Sequence, residues 1–276
     1  MRSRRRRVGS NDWLYFEVLE EMSNLDLFSG KDKAEIAIDR LQAFCPPEGY
    51  WVGFSGGKDS IVIYDLCKRS GVKCDFHYSL TTVDPPEIVK FIKTFSDVKI
   101  ERPEITMWKL IPQKRMPPTR IVRYCCAYFK ERGGTDRIVV TGVRWAESAR
   151  RSKRKMVEAC FTDSHKHYLH AIIDWSDEDV WEYIRTNKLK YCSLYDEGFK
   201  RLGCVGCPMA GKTTMEKEFV RWPTYKTAYI KAFDRCVKKR IADGLKTEWS
   251  TGKQMFDWWM KNNTVIKETD QSVMFE

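Results

Sequence analysis

From Tyr50 onward the chain alternates between short apolar runs and longer segments whose apolar residues recur at helical intervals. Tyr50 to Phe54 is one such run. Asp59 to Arg69 carries the helical pattern and is closed by Gly71, and the strand-like "VKCDFHYS" follows. A strand, an amphipathic helix ended by glycine and a second strand make a βαβ unit. The alternation continues through "PPEIVKFIKTF", where proline opens a helix, "VKIERP", a helical stretch from Tyr124 to Lys130, and the β-branched "RIVVTGV". Roughly the first 145 residues therefore predict an α/β fold built on a doubly wound parallel sheet.

Ahead of this unit, "DWLYFEVLEEM" and "KDKAEIAIDRLQAF" each space their apolar residues as helices do, and "CPPEG" stops the second. Beyond it, "DWSDEDVWEYIRTNKL" offers Ser176 as an N-cap followed by acidic residues, and Thr213 to Gly244 is largely helical in pattern. The predicted organisation is a basic tail with leading helices over 1–48, an α/β domain over 49–210 and a helical, irregular extension over 211–276. There is no internal repeat.

Composition narrows the class. A chain of 276 residues can bury a sizeable core, and its 42% hydrophobic residues are interrupted by charge too often to cross a bilayer. The Arg2 to Arg7 run is followed by "VGSNDWLYFEVLEEM" instead of an apolar export segment, so a soluble, cytoplasmic protein with no membrane partner is expected. In that compartment the ten cysteines are expected as thiols or metal ligands, not disulfides. The net charge of +11 favours phosphate-bearing partners, whether nucleotide, DNA or RNA, while Arg4 to Arg7 also reads as a plain solvated tail.

The candidate chemistry begins at Ser55-Gly56-Gly57-Lys58-Asp59-Ser60. Asp59 separates Lys58 from Ser60, so this is not a Walker loop. It still places a tight Gly-Gly turn between a strand and a helix start, which aims backbone N–H groups and the positive helix end at an anion. Gly56 and Gly57 permit close approach, and Ser55, Lys58 and Ser60 add hydrogen bonds and charge. The plainer alternative is a glycine turn capped by Asp59 or Ser60.

Cys125-Cys126 and Cys204-Val205-Gly206-Cys207 form two pairs. The CxxC hairpin lets two thiolates converge on one centre. Adjacent cysteines on a helix diverge by about 100°, which a polynuclear cluster accommodates better than one tetrahedral ion. Iron–sulfur is favoured, with structural zinc and unmetallated thiols as alternatives. Cys67 and Cys74 read as core. Cys45, Cys160, Cys192 and Cys236 lie in or beside polar segments, and spacing selects none of them as reactive. His165, His167 and His170 are expected as surface or hydrogen-bonded residues, and Trp222, Trp258 and Trp259 as anchors of a core or interface.

The glycine loop resembles the PP-loop of the ATP-pyrophosphatase and phosphoadenylyl-sulfate reductase superfamily, whose fold is that of adenine nucleotide alpha hydrolases. "TTVDPPEIVKF", "TGVRWAESARR", "IIDWSDEDVWEYI" and "SLYDEGFKRLGCVGCPMAG" are similar, in order, to further segments of that family, so the resemblance spans Tyr50 to Ala210. It implies a nucleotide gripped by Ser55 to Ser60, with Gly142 and Arg144 near it, and Glu147 and Arg150 near the substrate. Lys58, Asp59 and Arg144 are the implied catalytic residues, with Mg2+ on the phosphates. The Cys-Cys…Cys-x-x-Cys arrangement resembles that of adenylyl-sulfate reductases, where it ligates a [4Fe–4S] cluster. The reductases' catalytic Glu-Cys-Gly…His element has no match here, since Cys236 lies within "AFDRCVKKRI".

The loop form is closer to members that cleave ATP, such as those of DNA phosphorothioation. The resemblance thus implies an ATP-dependent sulfur-transfer enzyme, with a nucleic acid among the candidate acceptors and a separate sulfur or electron donor protein. Two alternatives stand beside it. One is a reductase acting on adenylyl sulfate or its phosphorylated form, with Cys160, Cys192 or Cys236 as a relocated thiol. The other is a nucleic-acid-binding module resting on the N-terminal arginines and on Arg150, Arg151, Lys153, Arg154 and Lys155.

Overall fold

The computed structural model describes residues 31–160 and 165–261; the basic tail, the first leading helix and the chain end lie outside the described residues. The second leading helix, α1 (Lys33–Ala43), opens on a capping box between Asp32 and Glu35. β1 (Tyr50–Gly53), α2 (Lys58–Ser70) and β2 (Cys74–Ser79) then form the expected βαβ unit. α2 ends because Gly71 takes the left-handed conformation at φ 69°. Its Val62, Ile63 and Leu66 are fully buried, each contributing roughly 1.5–3 kcal/mol.

α3 (Pro86–Ile92), β3 (Val98–Glu101), α4 (Met107–Lys114), α5 (Tyr124–Phe129) and β4 (Ile138–Val140) follow. Next come β5 (Val157–Ala159), β6 (His167–Leu169) and α6 (Asp177–Thr186), which is capped by Ser176 as the sequence predicts. The six strands make one sheet in the order β3-β2-β1-β4-β6-β5. Every pairing is parallel except β5 with β6. The α/β expectation therefore holds, with an antiparallel edge strand that the sequence does not announce. Strand order reverses between β1 and β4, and in open α/β sheets ligands bind beyond the carboxyl ends of the strands at such a point.

The C-terminal region is helical: α7 (Lys212–Arg221), α8 (Pro223–Ala242) and α9 (Gly252–Lys261). The helical pattern over Thr213 to Gly244 is two helices, not one, because Pro223 supplies no amide to continue the first. α8 packs between α4 and α9. Tyr229, Phe233, Phe256 and Trp259 fill the junction with tilted and edge-to-face rings, and the Trp259 indole N–H donates to the Pro118 carbonyl at 2.6 Å. Trp222 and Trp259 are thus core anchors. Among the described residues no helix is long and apolar enough to cross a membrane.

Candidate active site

β1 delivers the chain to the glycine loop at the sheet's carboxyl edge. Gly56 sits at φ 74°, and a Cβ there would stand 3.0 Å from Ile92 Cγ1, so both backbone conformation and space call for glycine. Gly57 is the N-cap of α2 and no side chain caps the helix. The plain capped turn is therefore not what forms. Ser60 Oγ instead donates to the Gly57 carbonyl at 2.8 Å and lies 3.2 Å from Ser55 Oγ. The first intrahelical bond of this stretch runs from Ile61 N to Gly57 O, which leaves the amides before it to non-helical acceptors. One acceptor is Tyr195, whose hydroxyl takes the Lys58 N–H at 2.8 Å from a distant segment, the 3-10 turn over Ser193–Tyr195.

Two cations and two carboxylates close the mouth of this loop. Arg144, only 1% exposed, donates to Asp59 at 2.7 Å, to Asp177 at 2.5 Å and to the Trp175 carbonyl at 3.0 Å. Lys58 Nζ donates to the same Asp177 at 2.9 Å and to Asp59 at 3.2 Å. The Lys58 hydrogen bond, with help from Arg144 and against partial burial, holds the Asp177 carboxyl below its ordinary range. Burial opposes charge on Arg144, but Asp59 and Asp177 outweigh it and raise its pKa. Lys58, Asp59 and Arg144 thus lie in one network. Asp177 joins them without having been singled out, since its place in "WSDEDV" reads only as the acidic first turn of a helix.

The other residues named from sequence are placed around this network. Gly142 follows β4 so closely against α2 that a Cβ would meet Asp59 at 2.8–3.0 Å. Glu147 accepts from the Arg144 N–H at 3.1 Å and pairs with Arg151. Arg150 is exposed on the same turn, outside the buried network. The basic stretch wraps against Trp145, whose indole donates to the Arg154 carbonyl at 2.8 Å, while Arg154 pairs with Glu158.

The two cysteine pairs lie in one neighbourhood beside the β2–α3 connection. Cys125 and Cys126 occupy the first turn of α5. Cys204 and Cys207 lie on a hairpin that turns at Gly206, φ 69°, where a Cβ would meet the rings of Phe219 and Tyr229 at 2.8 and 3.0 Å. The hairpin is tied down from several directions. Gly206 N–H donates to Glu218 at 2.7 Å, Tyr229 to the Val205 carbonyl at 2.9 Å, and Val205 N–H to the Val83 carbonyl at 2.8 Å. The Cys204 thiol reaches Thr81 Oγ1 at 3.4 Å.

The four sulfurs share one electrostatic neighbourhood. A hydrogen bond to Cys126, then burial, and then the charges of Cys126, Cys204 and Cys207 push the Cys125 thiol up. The same bond, with Lys130 and Arg123, brings Cys126 down to about 6 against the effect of burial. Burial pushes Cys204 up to about 11. Lys130 is exposed as a residue, yet its ammonium faces Cys204, Cys126 and Cys207, whose charges raise its pKa over the opposing effect of burial. Among the described residues no group of three or more His, Cys, Asp or Glu side chains is drawn together tightly enough to hold a metal ion. The donor set itself, four thiols from a helix turn and a hairpin with a cation near them, has the chemistry of an iron–sulfur or other soft-metal site.

The remaining thiols and histidines differ in burial. Cys67, Cys192 and Cys236 are buried, and Cys45, Cys74 and Cys160 are half-buried. His170 is buried between Thr141 and Glu158 at 2.9 and 3.1 Å, with its pKa lowered by burial; His165 faces Asp136 on the surface, and His167 is exposed on β6.

A family model described as the phosphoadenosine phosphosulfate reductase domain matches residues 49–210. An adenosine 5'-phosphosulfate reductase of Oceanobacillus iheyensis is 26% identical over 200 residues, covering 63% of this chain and 77% of that protein. An uncharacterized protein of Methanocaldococcus jannaschii is 27% identical over 241 residues, or 81% of this chain, and the chain spans only 56% of that relative's length. Among solved structures, the phosphoadenylyl-sulfate reductase of Candida auris in complex with phosphate aligns at 17% identity and TM-score 0.49, covering 67% of this chain and 94% of that one. The FMN adenylyltransferase of Candida glabrata in complex with ATP aligns at 16% identity and TM-score 0.44, covering 63% and 60%.

Proposed function

Because the chain belongs to the phosphoadenosine phosphosulfate reductase family, we propose that it binds an adenine nucleotide at the glycine loop and uses ATP to activate an acceptor for sulfur transfer. The observation that carries this reading is the meeting of Lys58 and Arg144 on shared carboxylates at the start of α2. Both cations stand where a phosphate chain would lie against the first-turn amides. Lys58 and Arg144 would turn from Asp59 and Asp177 to phosphate oxygens, and Asp59 would hold the Mg2+ that accompanies the nucleotide, an ion that when bound would offset phosphate charge. An acceptor oxygen then attacks the α-phosphorus, the α–β bridge breaks and pyrophosphate leaves. A sulfide-level donor displaces AMP from the activated acceptor. Nucleic acid is an acceptor class suited to the basic stretch from Arg150 to Lys155.

Cys125, Cys126, Cys204 and Cys207 would hold a [4Fe–4S] cluster, which when bound supplies sulfur- or electron-carrying chemistry. Around it, Glu218 and Tyr229 fix the hairpin and Lys130 offsets thiolate charge.

Reduction of a sulfonucleotide is the second reading, favoured by relatives that are named adenosine 5'-phosphosulfate reductases. Of the three thiols considered for it, Cys192 and Cys236 are 1% and 0% exposed, which leaves the half-buried Cys160. Anaerobically purified protein incubated with ATP plus candidate acceptors, or with adenylyl sulfate, separates the readings. Pyrophosphate release supports sulfur transfer and sulfite release supports reduction. Neither product, together with salt-dependent nucleic-acid binding, defeats both in favour of a binding module.

A further inference from the structure

On the amino edge of the sheet, away from the glycine loop, two more cysteines border one cavity. Cys67 lies nine residues beyond Lys58 along α2, about 13 Å at the helical rise, and Cys74 is the first residue of β2. Both line a cavity of about 400 Å³, together with Lys68, Lys73, Phe76 and Asp97. Gly71 turns the chain between them, so the end of α2 and the start of β2 run side by side. Sequence reading takes both as core. The structure separates them: Cys67 is fully buried, whereas Cys74 is half-buried.

The pair is polarised. A side-chain hydrogen bond with Cys67, helped by Lys68, lowers the Cys74 pKa against partial burial. The same bond, reinforced by burial, raises Cys67 well above the ordinary thiol value. Cys45 stands near Cys67 as well, but its own thiol points to the Pro46 carbonyl at 3.6 Å. Cavity access, a partly exposed sulfur and a buried partner behind it are the arrangement of an attacking and a resolving thiol.

We propose that Cys74 and Cys67 form a thiol–disulfide exchange site, separate from the nucleotide site, for a low-molecular-weight disulfide of the glutathione type. The Cys74 thiolate attacks one sulfur of the disulfide, the ligand's S–S bond breaks and one small thiolate leaves, giving a mixed disulfide at Cys74. Cys67 then loses its proton to the departing thiolate and attacks the Cys74 sulfur, expelling the second small thiolate. Two protein thiols are oxidised and one small disulfide is reduced to two thiols. The product is a Cys67–Cys74 bond that staples α2 to β2.

The full chain, kept anaerobic, is treated with oxidised glutathione, quenched with N-ethylmaleimide and digested with trypsin. Cleavage after Lys68, Arg69 and Lys73 puts Cys67 and Cys74 on separate peptides, 59–68 and 74–90. The expected product is these two peptides joined, two hydrogens lighter than their sum, and released by dithiothreitol. C67S is expected to stop at peptide 74–90 carrying one glutathione, and C74S to leave peptide 59–68 free of glutathione. In the reduced protein Cys74, half-buried at the cavity, is expected to alkylate faster than the fully buried Cys67. Recovery of both wild-type peptides separately alkylated, or of Cys67 joined to Cys45, overturns the proposal. The wild-type map decides alone if either variant fails to fold.

Discussion

Glu218 accepts the Gly206 amide hydrogen from within the packed junction beneath the CxxC hairpin, and burial pushes its carboxyl from an ordinary 4.5 up to about 7 despite that bond. The unfolded chain releases the Glu218 proton near the ordinary value, and the folded protein keeps it until near neutrality. Between those values the folded state binds more protons, so the contribution to stability is full below about pH 4.5, falls as pH rises towards 7, and is flat above it. The gap corresponds to about 3 kcal/mol. Glu218→Gln keeps an acceptor for Gly206 and removes the ionisation. Urea unfolding of wild type and E218Q at pH 5 and pH 8, at matched metal content, is expected to show near-equal stability at the lower pH. At the higher pH E218Q is expected to be more stable by about 2–3 kcal/mol. Parallel pH profiles for the two proteins would refute the reasoning.

Three further outcomes test the site. Arg144→Met removes the bonds to Asp59, Asp177 and the Trp175 carbonyl, leaving Lys58 alone on the two carboxylates; it is expected to cost about 3 kcal/mol in chemical denaturation and to abolish ATP binding by calorimetry. Gly142→Ala drives a methyl into the Asp59 backbone; a loss of about 1–3 kcal/mol is expected, read as a lowered melting temperature. Cys126→Ser, with Cys160→Ser as the control, is expected to lower iron and acid-labile sulfide in anaerobically prepared protein, while the control keeps both; equal iron in the two would count against the cluster.

What the sequence reveals and what it hides follow from the range of the interactions. The Gly-Gly corner, α2 and its glycine stop are local: turn chemistry and helical periodicity are written within twenty consecutive residues. β5 and β6 are three residues each and alternate with polar side chains, so neither gives a periodic signal long enough to read. Asp177, Tyr195 and Glu218 reach their partners across 119, 137 and 12 positions. No spacing rule connects such residues until the chain has folded. Cys74 shows the same limit: residence in a strand suggests burial, and the residue does pack against the core, but its place as the strand's first residue leaves it half-buried beside the cavity.

The Tyr195 hydroxyl belongs to the same stretch of chain that, nine residues on, delivers Cys204. A ligand that takes the Lys58 amide for itself must displace that tyrosine, and a shift of the tyrosine that reached the sulfur hairpin would couple the two sites. Thermodynamic linkage makes such traffic two-way: whatever occupancy of the anion cradle does to the affinity of the sulfur ligands, occupation of those ligands does to the cradle by the same factor.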